Sequence, residues 1–454
     1  MKKLLLTFCF LSVAFANAQW VEQSSGFSVA NRGISDIFII DANTVWGLAY
    51  DGTPSSTAIV QEFTRTLDGG ASWNSGTINV GDTTLGINDL SPVDATNAWV
   101  SAINGTAGTG SSIWKTSDGG GSWVQQNSTG YTSAGSFIDG VHFFSANVGV
   151  AFGDPAPVPT TFEIYRTING GATWTSITSP AITTGDYGYN SGFTFVGNNI
   201  WFGTAKGKIY RSTDQGATWL KYSSPITDFG GSLTPASGKM YFSDANNGIL
   251  IGNTLSGITA GSTVTARNLY KTTNGGASWT ASGTYTQPYT FNICYIPGTT
   301  ILVGNGATTG TTPVQSTGYS TDNGTTWTAY DTGTQRTSIT FLNPNLGWAG
   351  GFSSADPLTP AGIFKFTGTL GTQSFENTTK FKVFPNPATS TVTISAIDVD
   401  SYKLSVTDLT GKVVMTKSLN GIENTLDISA LSTGAYFFKL SSDNKKEVIK
   451  ILKN

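Results

Sequence analysis

The sequence predicts an all-β chain: a seven-bladed β-propeller of four-stranded blades, followed by a small Ig-like β-sandwich. Three observations carry this. First, the 454 residues include 55 glycines and 12 tryptophans but only 12% charged residues. Such a composition suits many short strands joined by tight turns, because glycine supplies positive-φ turn positions and aromatics fill strand faces. Second, one phrase recurs six times, as RTLDGGASW (65–73), KTSDGGGSW (115–123), RTINGGATW (166–174), RSTDQGATW (211–219), KTTNGGASW (271–279) and YSTDNGTTW (319–327). Third, an Asp/Asn-rich turn running into an apolar strand recurs seven times, always ahead of the first phrase. Trp46, Trp99, Val150, Trp201, Ile249, Val303 and Trp348 mark it at intervals of roughly 50 residues, the length of a four-stranded propeller blade.

From the N-terminus, Met1-Lys2-Lys3, an apolar run over 4–16 and the triplet Ala16-Asn17-Ala18 form a signal peptide, residues 1–18, cleaved after Ala18. The run is shorter than the roughly 20 residues a spanning helix needs. Cys9 falls inside it, which leaves Cys294 as the one mature cysteine. No internal disulfide is then available, so core burial and sheet pairing must hold the exported chain together.

The propeller is expected over 19–368. In its first blade, strand A covers 36–40, strand B 45–50, strand C 59–66 and strand D 72–77. The last unit ends at GIFKFTG (362–368) without a fourth strand. Trp20-Val21-Glu22-Gln23 reads like Trp123-Val124-Gln125-Gln126 in the second blade, so the first strand should complete the last blade and remove the open edge. Residues 369–380 are polar and aperiodic, a linker. Over 381–454, alternating segments such as YKLSVTDL (402–409), KVVMTKSL (412–419) and AYFFKLSS (435–442) predict the sandwich.

A net charge of −3 offers no basic field for nucleic acid. His142 stands alone beside Phe143 and Phe144, Cys294 is isolated, and the alternating oxygen ligands of a calcium loop are missing. Neither a metal nor a cofactor is expected.

The six phrases are similar to the Asp-box, or bacterial neuraminidase repeat, of sialidases, sortilin, xyloglucanases and photosystem II assembly-factor-like propellers. Residues 381–454 resemble the type A C-terminal sorting domain of type IX secretion substrates, through FPNPATSTVTI (384–394), Asp408-Leu409-Thr410-Gly411-Lys412 and LSTGAYF (431–437). That resemblance implies passage through the periplasm, recognition of the C-terminal module by the type IX machinery, and a secreted or outer-surface destination with no transmembrane segment after signal cleavage.

Asp68, Asp118, Asp214 and Asp322 recur in the box, but Asn169 and Asn274 hold the same slot. The position therefore needs a short acceptor for turn N–H groups, not a charge. With Trp73, Trp123, Trp174, Trp219, Trp279 and Trp327 they form a structural set. A ligand is expected on the opposite face, where the D–A and B–C loops emerge. Candidate binding residues there are Asp36, Asp89, Asp139 and Asp154, forming an acidic mouth, with Asp186, Tyr187 and Tyr189 beside them. Aromatics next to carboxylates suit carbohydrate, because rings stack on sugar C–H faces while carboxylates bond hydroxyls.

Arg32, Arg267 and Arg336 also fall on this face, outside the repeat slot that Arg65, Arg166 and Arg211 share with Lys115 and Lys271. No residue is confidently catalytic. The expectation is a propeller binding extracellular protein or glycan through its loop face; the alternative is a secreted glycoside hydrolase acting on complex glycans.

Overall fold

The computed structural model describes residues 19–54, 56–104, 111–126, 130–132, 135–155, 160–259, 262–306, 316–354, 361–370, 381–396, 401–442 and 445–454. The expected leader, most of the expected linker and long parts of the B–C loops lie outside the described residues. The chain divides into two compact units, Met1–Leu370 and Gly371–Asn454. Among the described residues the regular structure is all strand.

The first unit holds seven four-stranded antiparallel sheets. In blade 1 the strands are Arg32–Ile39, Val45–Asp51, Glu62–Thr66 and Asn74–Thr77, paired in sequence order. Strand A thus starts earlier than the sequence suggests, and strands C and D start later. The innermost strands of the next six blades are Gly86–Pro92, Ile138–Phe143, Phe193–Val196, Ala236–Phe242, Asn292–Tyr295 and Ile339–Asn343. Blade 7 takes its outer strand from the N-terminus, with Trp20–Ser24 running antiparallel to Gly362–Phe366 from Trp20↔Phe366 to Ser24↔Gly362. Leu370, placed in the linker by sequence, is instead buried against this blade, its N–H donating to the Pro344 carbonyl.

Burial between neighbouring blades holds the ring. Trp46, Phe63, Leu90 and Trp123 fill the gap between blades 1 and 2, and Ile34, Trp73, Trp348 and Ile363 join blade 7 back to blade 1. Strand-B indoles also reach across. Trp99 Nε1 donates to the Gly170 carbonyl at 3.1 Å and Trp201 Nε1 to that of Gly275 at 2.9 Å. Repeat-slot cations cover these rings, with Arg65, Lys115 and Arg211 lying 4.8, 4.8 and 5.3 Å from the centroids of Trp46, Trp99 and Trp201. Arg65 and Arg211 then donate to the Ala95 and Ala245 carbonyls in the A–B turn of the following blade.

Each Asp-box closes the C–D turn by one hydrogen-bond scheme. Asp68 Oδ1 accepts from Thr66 Oγ1 at 2.8 Å and Ser72 N at 2.9 Å, while Oδ2 accepts from Ser72 Oγ at 2.6 Å. Asp118, Asp214 and Asp322 repeat it. At Asn169 and Asn274 the carbonyl oxygen accepts the same backbone N–H, and the amide nitrogen donates to the hydroxyl of Thr173 or Ser278. The partner hydroxyl changes from donor to acceptor, which it can do by rotating. Trp73, Trp123, Trp174 and Trp219 are buried, and Trp279 and Trp327 pack partly buried against neighbouring blades.

The second unit is a sandwich. One sheet orders Phe381–Phe384, Thr391–Ala396 and Glu423–Asp427; the other orders Val413–Asn420, Ser401–Thr407, Gly434–Ser442 and Lys445–Lys453. Period-2 alternation in these strands turns Ile394, Leu404, Val406, Phe438 and Leu440 into the shared core.

Candidate functional site

Strand A of each blade lines the axis, so its side chains meet in the middle of the ring. An axial channel of about 1200 Å³ runs between them, walled by groups such as Phe38, Phe144, Phe195, Tyr241 and Tyr295. At the loop face it is continuous with a mouth of about 900 Å³, through the shared residues Asp36, Ser191, Lys239 and Asn292. Tyr50, Asn253, Arg267 and Phe291 complete the working part of the mouth wall.

Two of the sequence candidates meet here, Asp36 and Arg267. The expected acidic mouth does not form. Blades 1 to 3 carry a β-bulge in strand A, with register shifts at Ile34/Asp36, Ile87/Asp89 and Ile138/Gly140. Asp36 and Asp89 follow the bulge, whereas Asp139 is the bulge residue itself, matching Ser35 and Asn88. A bulge re-aims a side chain, so Asp139 points differently from Asp36 and Asp89.

The loop entering blade 4 then covers two of them. Ser191 Oγ donates to Asp89 Oδ1 at 2.9 Å, and Ser191 N to the Asp139 carbonyl at 2.9 Å. Gly188 N donates to Asp154 Oδ1 at 2.8 Å. Gly188 is required there, because a Cβ would stand 2.0 Å from Asp139 Oδ2.

Burial sets the electrostatics of this covered row. It raises Asp89 to about 7 against the hydrogen bonds from Ser191, Val141 and Ser101, with Asp36 adding to the rise. Asp139 is held well above the ordinary carboxylate range by burial and by the neighbouring charges of Asp154 and Asp89, and its Oδ2 has no partner. Asp154 rises to about 6 by burial, partly offset by the Gly188 N–H and reinforced by Asp186. Asp186 is also raised by burial, although Lys206 N and Tyr187 N donate to its Oδ1.

Tyr187 packs edge-on against Tyr189, at 5.6 Å between ring centroids. The Tyr189 hydroxyl donates to Asp228 Oδ1 at 2.5 Å, and Asp228 is itself held by the N–H groups of Gly230, Leu233 and Thr234. Tyr189 thus ties the blade 4 entry loop to the blade 5 entry loop that holds Asp228, and it lines the axial channel but not the mouth.

The arginines separate as well. Arg32 pairs with Glu62 at 3.0 Å. Arg336 is buried with Asp331 at 2.7 Å, between the rings of Trp20 and Phe364 at 4.8 and 4.7 Å. Among the described residues no carboxylate lies within ion-pair distance of Arg267, and its buried Nε has no hydrogen-bond partner.

Sequence reasoning missed Lys239, which shares the mouth with Arg267. The signal was present: counting back five residues from the A–B turn aspartates Asp41, Asp94 and Asp244 gives Asp36, Asp89 and Lys239. Lys239 is reachable by water, yet the surrounding blades desolvate it and lower its pKa, while Asp36 pulls the other way. Asp36 is correspondingly raised by burial, against the Ser35 hydroxyl and Lys239.

His142 is buried in strand A, stacked on Phe195 at 3.9 Å, and burial lowers it to about 3. Burial also pushes the Cys294 thiol up to about 12. Among the described residues no group of three or more His, Cys, Asp or Glu side chains is placed to hold a metal.

Two solved structures agree on the fold. A structure titled YCF48 bound to D1 peptide superposes with a TM-score of 0.50 at 14% identity, covering 77% of this chain and 94% of that one. YCF48 from Cyanidioschyzon merolae gives 0.51 at 13% identity, covering 77% and 98%. A GH74 xyloglucanase from Xanthomonas campestris gives 0.48 at 13% identity, covering 84% and 60%. No curated protein matches the chain. Residues 382–454 match the secretion system C-terminal sorting domain family. The chain is therefore a β-propeller carrying a type IX secretion sorting domain, addressed to the cell surface or beyond it.

Proposed function

We propose that this is an exported binding protein that takes an extracellular glycan into the loop-face mouth of its propeller. The observation that carries this reading is the mixture in one cavity of about 900 Å³: the rings of Tyr50 and Phe291, the amides of Asn253 and Asn292, and the charged groups of Asp36, Lys239 and Arg267. Ring faces suit sugar C–H surfaces, and convergent amides and charges suit hydroxyls. Phe291 is 45% exposed, so a ring is presented to solvent instead of completing a core.

Hydrolysis of a glycosidic bond by the usual route needs two carboxyl groups facing each other across the bond. Among the described residues Asp36 is the one carboxylate in the mouth wall. Asp89 lies beneath Ser191, and Asp139 is buried. The geometry therefore favours binding over turnover.

A glycan array probed with the purified chain tests this. Retention of one glycan class is expected, weakened at least tenfold in Phe291→Ala with an unchanged melting temperature. Release of sugar from the retained glycan, or an array with no retention, would overturn the reading.

A further inference from the structure

We infer that the mouth selects glycans bearing carboxylate groups, with Arg267 and Lys239 as the residues that recognise the acid. This rests on the glycan-binding reading of the mouth and narrows it to a ligand class.

Arg267 carries the argument. The other two loop-face arginines are neutralised, Arg32 by Glu62 and Arg336 by Asp331. Arg267 lines the mouth, and among the described residues no carboxylate pairs with it; its buried Nε lacks a partner, as do Nε and Nη1 of Arg336, which nevertheless keeps its Asp331 pair. A charge held in a cavity wall without a counter-ion is costly, and a fold that gives each of its other loop-face guanidinium groups a carboxylate has left this one facing a cavity. A carboxylate matches it, since the guanidinium edge offers two parallel N–H groups to two oxygens.

Lys239 adds a second positive charge in the same wall, against, among the described residues, the single carboxylate of Asp36. The described wall of the mouth thus carries a net positive charge inside a chain whose overall charge is −3. An acidic peptide shares the carboxylate chemistry. It is the weaker fit, because peptides gain much of their affinity by pairing backbone with a free strand edge, whereas this wall presents side-chain amides and rings.

Calorimetric titration of the full chain, in the mature form, distinguishes the possibilities. The probes are hexamers of polygalacturonate, alginate and hyaluronate, each beside its carboxyl-reduced neutral counterpart, and a poly-glutamate peptide. At least one acidic hexamer is expected to bind ten times or more tighter than its neutral form, with affinity falling as salt rises.

Arg267→Gln should remove that preference, lowering the affinity for the acidic hexamer far more than for its neutral form. Lys239→Gln, at a solvent-reachable position, should reduce it severalfold and serves as the second variant should Arg267→Gln lower the melting temperature. Equal binding of acidic and neutral hexamers would overturn the inference while leaving the glycan reading in place. Poly-glutamate binding as tight as the best hexamer would assign the site to acidic peptides instead. Failure of all hexamers, acidic and neutral, would overturn both.

Discussion

Asp139 shows how one inserted residue changes a side chain's chemistry. As the bulge residue of its strand it turns under the blade 4 entry loop, 3% exposed, with Oδ2 unpartnered and with Asp89 and Asp154 near enough to repel its charge. The folded state therefore prefers the protonated carboxyl. The unfolded chain titrates near about 3.9, so this preference stabilises the fold fully below that pH and is lost as pH rises through the folded values. Those are about 6 for Asp154 and about 7 for Asp89, and Asp139 too is held well above the ordinary carboxylate range. The propeller should melt at a lower temperature at pH 8 than at pH 5.

Asp139→Asn supplies a neutral group of the same shape and should recover about 1 kcal/mol at pH 8, on the order of 2 °C, with less gain at pH 5. Calorimetric scans of both proteins across this range check it; parallel melting curves at all pH values would refute it. The row of strand-A aspartates was visible in the sequence, but which of them face solvent was not. Spacing does separate Asp139: five residues back from Ser145, the blade 3 counterpart of Asp41 and Asp94, stands Gly140, which puts Asp139 one residue out of step with Asp36 and Asp89. Lys239 was likewise legible from its offset to Asp244 and was passed over because its residue type differs.

At the scale of the element, the Asp-box illustrates a repeat that encodes geometry. Its hydrogen bonds need an acceptor at one position and a rotatable hydroxyl four residues later, which either Asp or Asn meets. Asp214→Asn should therefore leave the melting temperature within about 1 °C, whereas Asp214→Ala deletes the acceptor for Thr218 N, Thr218 Oγ and Ser212 Oγ. Because the turn is partly open to water, which replaces some of these bonds, the alanine cost should be about 1 kcal/mol. Equal melting temperatures for the alanine variant and the parent would show that water replaces the acceptor completely.

The carboxylates carry a pH signature of their own. Ser72 and Ser122, by hydroxyl and then backbone N–H, pull Asp68 and Asp118 down to about 2. Their contribution is thus present above pH 4 and fades only in strong acid, opposite in sign to the covered row on the other face. Turns of this kind were legible because each box is local, its partners lying within six residues. The mouth was less so: its wall draws on Asp36 from blade 1, Lys239 and Arg267 from two strands of blade 5 and Asn292 from blade 6, and no local pattern brings Arg267 to the others.

At the scale of the whole propeller, the decisive contact is the one between its first strand and its last blade. Seven interblade clusters form a ring only when Trp20–Ser24 completes the seventh blade. Trp20 packs edge-on against Phe341 and Phe366 at 5.8 and 5.1 Å, and its face covers Arg336, whose partner Asp331 belongs to blade 6. Losing this strand exposes the edge of Gly362–Phe366 and uncovers a buried guanidinium, so the damage should spread beyond one strand. The sequence foretold this closure because outer strands share a short aromatic opening, which Trp20-Val21-Glu22-Gln23 displays out of place.

A chain starting at Ser25 should elute as oligomers, since its free edge can pair with a second copy, and should melt well below the parent. Trp20→Ala, which keeps the backbone pairing, should cost about 3–5 kcal/mol and remain monomeric. Adding a synthetic peptide of residues 19–26 to the truncated chain should restore the monomer, because the peptide can occupy the vacant edge. A truncated protein that stays monomeric and melts with the parent would show that six complete blades and a three-stranded seventh suffice, and that the ring is held by its interblade clusters alone.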